Sequence, residues 1–149
     1  MEKWGDKPYH SLDYENKKRF GEKVYKISLA GGTTCPNRDG TLGTRGCCFC
    51  SGSGSGDFAA TKGSITEQIE EAIARVSRYK NAGHHFTAYF QSFTATYAPV
   101  ETLRAAWEEA MTHESVVTLA IATRPDCLGD NVLSLLADCC RKIPVTVAL

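Results

Sequence analysis

Apolar positions along the chain alternate between a period of two and a period near 3.6, and the switches mark the elements. From Lys23 to Leu29 the run Val-Tyr-Lys-Ile-Ser-Leu has the β-branched and aromatic content of a strand, which Gly31 and Gly32 end. Residues 30–63 then show no periodicity and are rich in glycine and serine, notably at Ser51-Gly-Ser-Gly-Ser-Gly56, so they read as a long loop. Ser64 with Glu67 forms a capping box, and Ile65, Ile69, Ala72, Ile73 and Val76 recur on one helical face as far as Tyr79 or Lys80, with Gly83 closing the helix. Phe86 to Phe93 reads as a second strand. Pro99 opens a second helix that buries Val100, Leu103, Trp107, Ala110 and Met111, and Val116 to Ala122 is a third strand ended by Pro125. Asp130 is placed to cap a third helix carrying Val132, Leu135, Leu136 and Cys139, and Val145 to Leu149 forms a last apolar run after Pro144.

The order β-α-β-α-β-α-β predicts an α/β fold with a parallel sheet and right-handed crossovers, either open or part of a barrel. Strands two, three and four start near residues 86, 116 and 145, in steps of 30 and 29 residues. That spacing is close to the roughly 31 residues per unit of a (β/α) barrel. The first step, from 24 to 86, is twice as long, and the surplus is the loop. A loop that long inside a compact domain is usually functional or disordered, and this one holds four thiols. Because Val145-Thr-Val-Ala-Leu149 stops inside a strand, residues 1–149 are expected to be the N-terminal part of one longer, truncated barrel with about four of its strands.

Composition narrows the class. In 149 residues, 42% apolar and 23% charged, there is room for one globular domain. Seventeen basic and seventeen acidic residues cancel, so no overall field would hold the chain on nucleic acid or an anionic membrane. The charged N-terminus has no apolar signal segment, and nowhere do eighteen apolar residues run together, which points to a cytoplasmic protein. In that compartment seven cysteines do not form a disulfide framework.

Cys35, Cys47 and Cys50 follow the pattern C-x11-C-x2-C directly after a strand. Structural zinc takes four ligands, whereas a [4Fe–4S] cluster can be held by three cysteines if its fourth iron is left to something else. Cys48 is read as a packed or mobile thiol. Two other readings stay open: a zinc-binding or interaction module whose fourth ligand is Cys48 or Cys127, and a thiol oxidoreductase using Cys47 and Cys50.

The stretch Cys35-Pro-Asn-Arg-Asp-Gly-Thr-Leu-Gly-Thr-Arg-Gly-Cys47-Cys-Phe-Cys50, with Gly54-Ser-Gly-Asp57-Phe58, resembles the cluster loop of radical S-adenosylmethionine (radical SAM) enzymes. More narrowly it resembles an uncharacterised bacterial radical SAM family related to the Elongator catalytic subunit. The segments Phe20–Leu29, Tyr89–Pro99 and Ala122–Cys127 share the resemblance. It implies a partial (β/α) barrel in which Cys35, Cys47 and Cys50 hold three irons and the fourth chelates S-adenosylmethionine. Reductive cleavage of the sulfonium would give a 5′-deoxyadenosyl radical that abstracts hydrogen from substrate. It further implies a reductant such as flavodoxin or ferredoxin, a possible tRNA substrate, and a cavity finished by the C-terminal half of the barrel.

Sites in such barrels gather at the C-terminal ends of the strands. Gln91, Ser92 and Thr94 end strand two, and Gln91 with Ser92 is assigned to the methionine amino group, although the acidic residue of the usual Gly-Gly-Glu segment is missing. Thr123, Arg124 and Asp126 end strand three, with Arg124 free to meet a carboxylate bidentately. Phe49 resembles the aromatic near the adenine. Each has a plainer reading: Arg124 and Asp126 as a turn ion pair, and Gln91 as a strand-end hydrogen bonder. His84, His85 and His113 precede strands and belong at the opposite edge, Trp107 and Cys139 belong to the core, and Lys17, Lys18 and Arg19 form a solvated basic run.

Overall fold

Each predicted strand and helix forms, and in a computed structural model they assemble in chain order; residues 4–60 and 62–149 are described. The elements are α1 (Leu12–Phe20), β1 (Tyr25–Leu29), α2 (Ile65–Tyr79), β2 (Phe86–Phe90), α3 (Val100–Thr112), β3 (Val116–Ala122), a 3-10 turn (Pro125–Cys127), α4 (Asp130–Cys140) and β4 (Val145–Ala148). The four strands pair in parallel in the order β1-β2-β3-β4. Leu29, Phe90, Ile121 and Val147 stand level across the sheet, and one irregularity shifts the β2/β3 register between Phe86 and Thr87.

Alternation along each strand sorts the side chains onto two faces. Ile27, Leu29, Phe86, Ala88, Phe90, Leu119 and Ile121 enter one continuous core with Ile69 and Ala72 of α2, Leu103 and Trp107 of α3, and Leu135 and Cys139 of α4. Helices α2, α3 and α4 therefore lie on the same side, so the sheet is singly wound. The other face carries Lys26, Ser28, Thr87, Tyr89, Thr118, Ala120 and Thr146, a small and polar set in which Thr118 donates to Thr87 Oγ1 at 2.7 Å. A period-two strand with one apolar and one polar face is what helices on a single side require. Among the described residues, no helix is long and apolar enough to cross a membrane.

The boundaries correct the sequence reading in several places. The N-terminal segment contains α1, which the basic run Lys17–Arg19 conceals. Its nine residues bury only Asn16, and it is held by the Ser11 cap and a 2.9 Å Asp13–Lys17 pair instead of an apolar face. Strand two stops at Phe90, short of Phe93, whose φ of +59° is left-handed and not that of an extended strand. Gly129, not Asp130, is the N-cap of α4, Pro99 sits at the N-cap of α3 and not inside its first turn, and α2 ends at Tyr79 with Lys80 as its C-cap and no part for Gly83. The Ser64–Glu67 capping box forms as expected.

Candidate metal centre

The long loop leaves β1 at the C-terminal edge of the sheet and is gripped at once. The Gln68 amide, buried on α2, accepts from Ala30 N at 2.9 Å and donates to Ala30 O at 3.3 Å, satisfying a backbone that has left the ladder. Cys35 O accepts from the N–H groups of Arg38 and Asp39, Pro36 O from Leu42 N at 2.8 Å, and Asn37 O from Gly46 N at 2.9 Å. These bonds fold the eleven-residue gap back on itself and bring Cys47 beside Asn37, whose amide donates to Cys47 Sγ at 3.1 Å. A Cys50 N to Cys47 O bond of 3.0 Å turns the next segment, and Ser55 Oγ lies 3.7 Å from Cys50 Sγ as a donor.

The residues after β2 staple both ends of this loop. Thr94 N donates to Thr34 O at 3.1 Å and Phe93 N to Gly54 O at 2.8 Å. The loop then returns along β1, where Ala60 N donates to Ser28 O at 3.2 Å. Gly54 (φ +65°) packs directly under the Phe93 ring, and a Cβ there would collide with it.

Between loop and strand ends lies a cleft of about 490 Å³. Cys35, Cys47, Phe49, Cys50 and Ser55 line it from the loop, Tyr89, Gln91, Phe93 and Thr94 from β2 and its extension, and Ala122, Thr123, Arg124 and Leu149 from the far side. The three thiols expected to act together thus share one cavity, each half-buried, while Cys48 is exposed and does not line it. Phe49 is 83% exposed at its mouth. The cysteines face one space without closing on a centre: among the described residues no three Cys, His, Asp or Glu side chains are gathered as metal ligands.

The donor set fits a thiophilic centre with an open side. Among the described residues the lining offers thiols and no carboxylate or imidazole side chain, and soft thiolates select zinc or iron–sulfur centres. Two sulfurs already face a hydrogen-bond donor, Asn37 or Ser55.

Other expected residues divide. Gln91 and Thr123 line the cleft, although the Thr123 hydroxyl is shared with Thr96 Oγ1 at 2.5 Å, and Thr96 donates onward to Cys127 O at 2.6 Å. Arg124 lines it too, but its guanidinium is committed bidentately to Asp126, Nε to Oδ1 at 2.9 Å and Nη2 to Oδ2 at 2.8 Å. The turn ion pair is the arrangement formed; it drives the Arg124 pKa up and the Asp126 carboxyl down. Ser92 is a correction. Its side chain is buried beneath Gly56 and lines a different pocket with Ala30, Gly32, Thr33, Ser53 and Phe93, in the irregular stretch past the end of β2. Cys127 lines a neighbouring cleft with Thr34, Thr96 and Asp126, and burial, reinforced by Asp126, pushes its thiol pKa up.

His84 and His85 stand at the opposite edge, where Glu22 Oε1 accepts from both backbone N–H groups at 2.7 and 2.8 Å. Sequence reasoning did not single out Asn37, Arg38, Ser55 or Phe93. The Asn-Arg-Asp-Gly run was the available signal for the first two, while Phe93 had none.

Three relatives match over most of the chain. "Uncharacterized protein YtqA" of Bacillus subtilis is 45% identical over 139 residues, covering 89% of this chain and 41% of that protein. "Protein YhcC" of Escherichia coli is 43% identical over 121 residues, 81% of this chain and 38% of that one. "Uncharacterized protein MJ0486" of Methanocaldococcus jannaschii is 34% identical over 125 residues, 82% and 37%. The chain thus spans about two fifths of the length of these relatives. No family model and no solved structure matches.

Proposed function

We propose that this chain carries the cluster-binding part of a radical SAM enzyme, with Cys35, Cys47 and Cys50 as the protein ligands of a [4Fe–4S] cluster. The observation that carries the reading is the convergence of these three thiols, 15 residues apart at most, on one cleft at the C-terminal edge of a parallel sheet. The singly wound strand order with helices on one side is compatible with part of a (β/α) barrel, whose polar inner wall would be the face bearing Ser28, Thr87 and Thr118.

When bound, such a cluster would supply an open iron for S-adenosylmethionine and the one electron that cleaves its sulfonium C–S bond to methionine and a 5′-deoxyadenosyl radical. The chain's own part is to bind and orient. Asn37 and Ser55 donate toward two sulfurs, which stabilises added negative charge and eases reduction. Gln91 and Thr94, beyond the end of β2, would hold the amino and carboxylate groups of the cofactor, and Phe49 would offer a ring at the mouth. Arg124 reaches a carboxylate only by giving up Asp126. An electron carrier of the flavodoxin or ferredoxin type supplies the reductant, the remaining length of protein completes the cavity, and tRNA is the substrate class the resemblance suggests.

The test is anaerobic reconstitution of the full-length protein with iron and sulfide, iron counting, and electron paramagnetic resonance of the reduced protein with and without S-adenosylmethionine. About four irons per chain are expected, lost in Cys35→Ala, Cys47→Ala and Cys50→Ala, with a signal that changes on adding the cofactor. No iron, or a signal indifferent to the cofactor, overturns the reading. The zinc alternative gains nothing from the geometry, since Cys48 is exposed and Cys127 lines another cleft.

A further inference from the structure

We propose that Arg38 is the positioning residue of the cysteine loop, and that the eleven residues between Cys35 and Cys47 are a built part of the site. The Arg38 guanidinium donates to three successive carbonyls, Cys50 O at 3.4 Å, Ser51 O at 2.5 Å and Gly52 O at 3.4 Å. One planar fork thereby holds the backbone that leaves the last ligand, a task its fixed set of donors suits and a single ammonium does not. Its other side lies over the Phe93 ring, 5.7 Å from the centroid.

The neighbourhood is shaped to admit this group. Gly46 passes so close that a Cβ there would stand 2.8–2.9 Å from the guanidinium, and Gly54 passes as closely beneath Phe93. Phe93 itself adopts φ +59°, a conformation a bulky residue takes only where its surroundings impose it. Arg38 and Phe93 thus form a clasp joining the first gap, the Cys47–Cys50 turn and the end of β2. Asn37, one residue earlier, brings its amide to Cys47 Sγ, so fixing the backbone at Arg38 also aims that donor.

The inference rests on Cys35, Cys47 and Cys50 as ligands but not on the metal they hold. It is tested with Arg38→Gln, Arg38→Lys and the control Arg45→Gln, an arginine of the same gap that makes no hydrogen bond among the described residues. Amide exchange is measured in metal-free protein, and release of bound metal to a chelator in protein loaded with iron and sulfide or with zinc. In Arg38→Gln, exchange across residues 47–56 is expected to quicken by about tenfold or more, as loss of charge-assisted bonds dictates, while β2 and β3 amides stay protected and report an intact fold. Metal release should quicken similarly, Arg38→Lys should recover part of both, and Arg45→Gln should match the wild type. Wild-type exchange in Arg38→Gln overturns the proposal, as does faster exchange with unchanged metal release, or full recovery by lysine. If the wild-type protein holds no metal, the ligand reading falls and this proposal with it; if it holds zinc but no cluster, the radical SAM reading falls while the clasp is still decided by exchange and zinc release.

Discussion

Glu22 shows how much a single half-buried carboxylate can organise when its partners are backbone groups. It joins the chain just past the Gly21 C-cap of α1 to the two residues before β2, accepting from His84 N and His85 N, with His85 Nδ1 2.9 Å away. The His84 backbone bond, ahead of the one from His85, holds its pKa below the ordinary glutamate value. A carboxylate whose folded pKa is depressed stabilises the fold above its unfolded pKa, and that contribution is lost as pH falls through the folded pKa. Glu22→Gln should therefore melt at a lower temperature than the wild type at pH 7, and the two curves should converge in acid only once the pH has fallen below the depressed folded pKa, itself under the ordinary glutamate value of about 4.3. Thermal melts at a series of pH values check this; a gap that persists in acid would mean that the charge is not what Glu22 contributes.

Elements differ in how plainly their residues announce them. Ile27 and Leu29, or Leu119 and Ile121, are two apart in strands that bury one face, and Ile65, Ile69 and Ala72 keep helical spacing, so burial itself writes the pattern. Helix α1 buries only Asn16, so no apolar period betrays it; its capping serine and the Asp13–Lys17 pair were weaker marks among many charges. The cysteine loop was legible as three thiols brought to one cleft but not as an architecture. That Arg38 would meet the Ser51 carbonyl depends on how the gap closes on Pro36 and Asn37, and that Phe93 would turn left-handed follows from what packs on it, not from phenylalanine. Ser92 was misplaced because a one-residue step at a strand end changes which pocket a side chain enters. Where a local signal did act, its energy is modest: Ser64→Ala removes the acceptor for Glu67 N and should cost about 1 kcal/mol in urea unfolding. An undiminished stability would mean that the Glu67 half of the box suffices.

At the scale of the molecule, a singly wound sheet grades its strands. Among the described residues, β2 and β3 have partners on both sides, whereas β4 has one, and every residue of it is at least partly exposed. Amide exchange of the chain should accordingly be slowest in β2 and β3 and faster by about an order of magnitude or more in β4. Equal protection in all four would require something to cover the last strand.

The staples that close the cysteine loop also set a waiting time. Chains fold from the N-terminus during synthesis at about 5–20 residues per second. Cys50 is made 44 residues before Thr94, and the bonds from Phe93 and Thr94 to Gly54 and Thr34 do not exist until then. For roughly 2–9 s on each ribosome, three thiols meant for one cleft stand in an open loop, exposed to whatever oxidant or stray metal is present.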